Sequence, residues 1–175
     1  MVMQWCINKV RKIADYLGGL LFCWSVMRLE NKKIVRLFFI LLLFKIANGY
    51  LFIVINSSFF KLENRVFDQL SKNEFLFLAV VFAPIIETLI FQLFLFRLLN
   101  KIGIKSTLII VIIMSIAFSQ AHWYHWLYVI GAFINALFLN YFYVYVYQKR
   151  NELIAVLLTI AMHSSYNLYG LLFVT

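Results

Sequence analysis

Residues 75–96 are 22 consecutive positions with one ionisable side chain, Glu87, near the middle. A helix of that length and apolarity crosses the ~30 Å hydrocarbon core of a bilayer. At that depth only helices and closed barrels satisfy every backbone N–H and C=O, so the run limits the fold to one of these. Four further runs of the same character stand at 34–55, 107–122, 123–147 and 153–175. Hydrophobic residues make up 65% of the chain and charged ones 13%, more apolar surface than one soluble core of this size can bury. The expected fold class is all-α, a polytopic membrane helix bundle of about five transmembrane helices with an N-terminal interfacial or half-inserted helix.

The formal charge of +9 raises the question of a nucleic-acid partner. The basic residues sit at the ends of apolar runs rather than on one polar surface, so they report topology and no nucleic acid is expected. Arg28, Lys32, Lys33 and Arg36 form one group, a nearly balanced connection covers 57–74, and Arg97, Lys101 and Lys105 form the next. No basic residue separates the third run from the fourth, and Lys149 with Arg150 follows it. The positive-inside rule places the first, third and fifth groups in the cytoplasm and the C-terminus outside. Aromatic residues fit the same frame, with Trp123, Tyr124, Trp126 and Tyr128 at one interface and Tyr141, Tyr143, Tyr145 and Tyr147 approaching the other.

Near the N-terminus, Val10, Ile13, Ala14 and Leu17 follow helical spacing while Asn8, Arg11, Lys12 and Asp15 occupy another face, as in a helix lying on a membrane surface. Residues 1–33 are therefore read as an amphipathic interfacial segment and 34–175 as the transmembrane domain. A sixth span over 13–27 is the alternative, but it places Lys9, Arg11 and Lys12 outside, against the charge rule. Cys6 and Cys23 then face the cytoplasm as reduced thiols. No small-x-small cleavage site follows the basic N-terminus, which is read as mature.

Ionisable groups at membrane depth are costly and are usually kept for function. Glu87 follows Pro84 by three residues, and the proline loosens the helix beside the acid. Burial favours the neutral acid, whereas a nearby cation or hydrogen-bond donors favour the carboxylate, which serves as a general base where water reaches it. A protonated Glu87 that merely joins helices is the structural alternative. His122 ends a run with Ser115, Ser119 and Gln120, and can be read as an interfacial residue. His163 and Asn167 share one helix face at i and i+4, so they are either a polar packing pair or two donors to one oxygen, as a developing oxyanion needs.

The stretch Ala83-Pro84-Ile85-Ile86-Glu87-Thr88-Leu89-Ile90-Phe91-Gln92, then Phe118-x-x-x-His122 and His163-x-x-x-Asn167, resembles the CPBP (Abi) intramembrane proteases, relatives of the CAAX prenyl endopeptidase. Order and spacing agree over a core of about residues 75–170. The resemblance implies an intramembrane endopeptidase in which Glu87 and His122 activate water while His163 and Asn167 stabilise the oxyanion. It implies peptide or membrane-anchored peptide substrates, a lipid-bilayer setting and a multi-pass protein of a bacterial cell membrane. The family's first motif is usually Glu-Glu-x-x-x-Arg, and here it reads Glu87-Thr88-x-x-x-Gln92. Thr88 and Gln92, at i and i+4 on one face, are placed so that they can hydrogen-bond each other, a neutral pair in place of the charged one. This departure motivates the alternative of a catalytically silent relative that regulates a membrane protein partner. A small transporter or proton relay is disfavoured by the lack of an inverted repeat.

Lys45, inside the first span with Asn48 three residues on, has two readings. It snorkels to the cytoplasmic interface, the simpler one, or it stands near Glu87 as a substitute cation. Glu87, His122 and His163 form the ligand set if a metal such as zinc is present, and His125 at i+3 from His122 could join it. No His-Glu-x-x-His pair occurs, and a metal-free site is favoured. Counting about 1.5 Å per residue from the basic ends puts Glu87 and His163 near mid-membrane but His122 nearer the outer side. Helix tilt, a break at Pro84 or an outward-opening funnel would be needed to reconcile those depths.

Overall fold

The computed structural model describes the backbone of residues 2–62 and 71–173, and the side chains from residue 29 onward apart from those of 63–70, Lys72 and the last two residues. Among the described residues the structure is helical, with no strand. Helix α1 spans Val2–Ile55 and continues into a π-helical turn, Asn56–Phe60. The turn closes at Lys61, whose backbone is left-handed (φ 52°) and whose N–H reaches the Asn56 carbonyl at 2.7 Å. The Asn56 side chain holds the exit, accepting from the Leu62 N–H at 3.0 Å and donating to the Leu62 carbonyl at 2.9 Å.

Helix α2 covers 72–101 and opens with a capping box, in which Ser71 Oγ accepts from the Glu74 N–H while Glu74 accepts from the Ser71 N–H. This reciprocal arrangement satisfies donors that a helix start leaves orphaned. Helices α3 (Thr107–Gln120), α4 (Trp126–Lys149) and α5 (Glu152–Phe173) complete the chain. Two compact units divide it, residues 1–37 and 38–175. In the first, Lys33 pairs with Glu30 one helical turn away at 2.9 Å. The amphipathic face expected near the N-terminus and the middle of the 57–74 connection lie outside the described side chains.

Among the described residues four stretches are long and apolar enough to cross a bilayer: Leu29–Phe60, Asn73–Lys101, Trp126–Lys149 and Glu152–Phe173. The protein is an integral membrane protein. The third expected span differs from the other four. Helix α3 has 14 residues, about 21 Å at 1.5 Å per residue, which is short of the ~30 Å hydrocarbon core. The chain turns over residues 121–124 before α4 starts, so the expected helices at 107–122 and 123–147 give way to a shorter helix, a turn and a later start.

In the second unit α3 packs on α4, α4 on α5, and α5 on α2. Met114, Leu139, Phe142, Val146 and Met162 form the closed centre, while Phe94, Leu108 and Leu157 face outward, as a bilayer-facing surface requires. The C-terminal part of α1 joins the bundle through Phe38 against Phe142 and Phe44 stacked on Phe138. Gly131 permits the approach, since a Cβ there would meet the Phe52 ring at 3.1 Å, and its carbonyl accepts from Asn48 at 3.0 Å. Small residues and interhelical amides are the usual adhesives where the solvent is itself apolar. Tyr143, expected among the interfacial tyrosines, is fully buried in this core.

Candidate active site

Helix α2 changes register twice around the acid. Residues Leu78–Phe82 are π-helical, Ala83–Glu87 return to α geometry, and Thr88–Phe94 are again π-helical. In the first π segment the Ala83 N–H bonds to the Leu78 carbonyl, five residues back. The next donor in that register would be Pro84, which has no N–H. The Ala79 carbonyl instead accepts from Asn167 Nδ2 of α5 at 2.7 Å. A carbonyl that proline strips of its partner thus docks α5 on α2 next to Glu87. Such π segments are frequent at functional sites.

His122 and His163 approach the same carboxylate oxygen. His122 Nε2 lies 3.8 Å and His163 Nε2 3.6 Å from Glu87 Oε2. His122 Nδ1 is 2.8 Å from the Phe118 carbonyl. A carbonyl only accepts, so Nδ1 carries a proton, and in the neutral imidazole it is the unprotonated Nε2 that faces Glu87. The Phe118 ring stacks on His122 at 4.5 Å and packs on His163 at 5.7 Å, so the first residue of the Phe118-x-x-x-His122 pair orients both imidazoles. His163 is 5% exposed and its Nδ1 has no hydrogen-bond partner. Glu87 Oε2 also lacks one.

These separations are too long for direct hydrogen bonds. The depth conflict disappears as well. The 3.8 Å separation puts His122 at the level of the acid, and His122 sits in the turn that follows α3.

Thr88 and Gln92 do not bond to each other. Their π-helical segment carries i+4 residues off a common face, and Gln92 Nε2 donates instead to Asn140 Oδ1 of α4 at 2.8 Å. Asn140 Nδ2 donates to Ser115 Oγ of α3 at 2.9 Å, and Ser115 Oγ to the Val111 carbonyl at 2.7 Å. A neutral chain across three helices therefore starts where the family motif has arginine. Thr88 Oγ1 and Gln92 Oε1 stay unpartnered.

Lys45 does not snorkel. It is 2% exposed, with Nζ 3.4 Å from the Asn135 carbonyl and 4.7 Å above the Tyr166 ring. Aromatic and carbonyl groups inside the bundle hold the ammonium away from the interface.

The donor set for a metal is a poor fit. Among the described residues no group of three His, Cys, Asp or Glu is arranged to hold an ion. His125 is committed elsewhere, since its Nδ1 caps α4 by accepting from the Tyr128 N–H at 3.1 Å.

The structure thus defines a membrane helix bundle with a carboxylate on α2 facing two imidazoles, one from the turn after α3 and one from α5. The family model described as type II CAAX prenyl endopeptidase Rce1-like matches residues 71–169. The chain belongs to this Rce1-like family of proteases. Neither the curated proteins nor the solved structures gave a match.

Asn135, Asn140 and Tyr166 escaped the sequence reading as parts of this region. Lone amides at 135 and 140 within the apolar run 126–147 were the available signal, because an unpaired amide is costly in hydrocarbon.

Proposed function

We propose that the protein is an intramembrane endopeptidase that hydrolyses peptides or membrane-anchored peptide precursors. The observation that carries this reading is the gap of 3.6 and 3.8 Å between Glu87 Oε2 and two imidazole nitrogens. A water seated beside the two groups donates one proton to Glu87 Oε2 and the other to His122 Nε2, leaving a lone pair to attack the scissile carbonyl. Glu87 takes the first proton as the C–O bond forms. His163 Nε2–H and the second amide proton of Asn167, the first being held by Ala79, stabilise the oxyanion. Collapse breaks the C–N bond, and Glu87 returns its proton to the leaving amine. No step passes through a metal.

Family membership supports the reaction class. The partial exposure of Glu87 and His122, with side chains 23% and 15% accessible, supports entry of water. The location proposed is a bacterial cell membrane with the C-terminus extracytoplasmic, on the charge distribution of the connections. A silent regulator of a membrane partner is the second reading, motivated by Thr88 and Gln92.

The test compares membrane peptides from cells carrying the wild-type protein and Glu87→Gln. Uncut precursors accumulating only with Glu87→Gln are expected, and they would name the substrate. Identical peptide populations together with an intact cellular phenotype would favour the regulator.

A further inference from the structure

Glu87 stands in the bundle without the arginine that its own helix would carry in the family's usual motif, and Gln92 at that position is tied into the neutral chain through Asn140. Among the groups described around it, both imidazoles turn nitrogens toward the acid, and His122 Nδ1–H is held by the Phe118 carbonyl. A carboxylate in such a place needs a cation.

Among the described residues the buried lysine is Lys45, on a different helix. Lys45 of α1 makes no direct ion pair with Glu87, yet its Nζ lies over the Tyr166 ring, one helical turn from His163, whose Nε2 is 3.6 Å from Glu87 Oε2. It is also held in place by a built cradle. The Asn135 carbonyl accepts from Nζ, the Tyr166 ring lies beneath it, and Asn135 Nδ2 donates to Tyr166 Oη at 2.9 Å, fixing the ring. Tyr166 precedes Asn167, so the residue under the ammonium adjoins the one that clamps Ala79. Gly49 completes the fit, because a Cβ there would lie 2.9 Å from Tyr166 Oη.

We propose that Lys45 is the counter-ion of Glu87, a positioning residue that supplies from α1 the positive charge missing from α2, with Asn135 and Tyr166 as its holder. A compact ammonium seated on an aromatic face acts as a point charge at a distance. It needs no bidentate contact with the acid and leaves the space between Glu87 and the imidazoles open to water. The catalytic part of this proposal rests on the hydrolytic reading above, whereas the charge coupling does not.

The experiment uses the full-length protein in detergent micelles and has two readouts. The first is a stability cycle over Lys45→Gln, Glu87→Gln and the double variant. Lys45→Gln keeps a polar N–H donor on this side chain and removes the charge. The double variant is expected to be more stable than the sum of the single effects predicts, because each single change leaves one buried charge alone. Strict additivity would overturn the proposal, whether or not the protein cleaves peptides. The second readout is turnover of a substrate found with Glu87→Gln. Lys45→Gln should lose on the order of tenfold or more in kcat at unchanged KM, and Lys45→Arg should restore most of it. Wild-type turnover by Lys45→Gln, or a loss confined to KM, would overturn the catalytic part. If Lys45→Gln does not fold, Lys45→Met takes its place in both measurements.

Discussion

Replacing Asn167 with alanine acts on two bonds that differ in size. Its amide donates one proton to the Ala79 carbonyl at 2.7 Å and is assigned the other for the oxyanion. Losing the first leaves a carbonyl unpaired between helices, a loss of about 0.6 kcal/mol on average and up to ~1.7 for interhelical hydrogen bonds in membranes. Losing an oxyanion donor costs about 10²–10³ in kcat, or ~2.7–4 kcal/mol in the barrier. A protein with about 5–15 kcal/mol of stability stays folded after the first loss, so a hundredfold fall in turnover cannot come from unfolding. The second change, Pro84→Ala, separates the two. Alanine restores an N–H in the register of Ala79, so Asn167→Ala with Pro84→Ala should regain most of the stability lost by Asn167→Ala while turnover stays low. Thermal unfolding in micelles and single-substrate cleavage rates measure the two quantities. If Pro84→Ala restores nothing, the unserved Ala79 carbonyl is not what holds Asn167. If it restores stability and turnover together, Asn167 acts only by docking α5 and is no oxyanion donor.

Two further outcomes follow from the same geometry. His125→Ala removes the side-chain cap of α4 and should cost about 1 kcal/mol in thermal stability while leaving kcat unchanged; a collapse of turnover would put His125 in the site. Treatment with 1,10-phenanthroline should leave cleavage intact, since no described group of three donors closes around an ion, and a loss reversed by zinc alone would refute the metal-free scheme.

Hydropathy and local spacing exposed most of the architecture, because they depend on neighbours in sequence. Four spans follow apolar length alone, and Glu87, His122 and His163 stood out as ionisable groups in hydrocarbon. The failures share one physical cause. The i,i+4 pairing open to Thr88 and Gln92 assumes 3.6 residues per turn, and that segment is π-helical, so Gln92 turns to α4. The depth expected for His122 assumed a helix reaching residue 122, whereas α3 ends at Gln120 and the chain turns inside the span. Lys45 looked interfacial because its partners, Asn135 and Tyr166, lie 90 and 121 positions further along the chain. In each case a side chain's partner depends on helix register and on contacts distant in sequence, neither of which a linear pattern encodes. The same dependence explains how the first motif can lose its arginine. Charge acts through space rather than along a helix, so a lysine on α1 with a fixed seat can stand in for a residue five positions after Glu87, provided that α1 packs where Gly131 and Gly49 allow it. Glu87 and its cation then need not share a motif, and a chain whose first motif departs from the family pattern can still hold an ionised base.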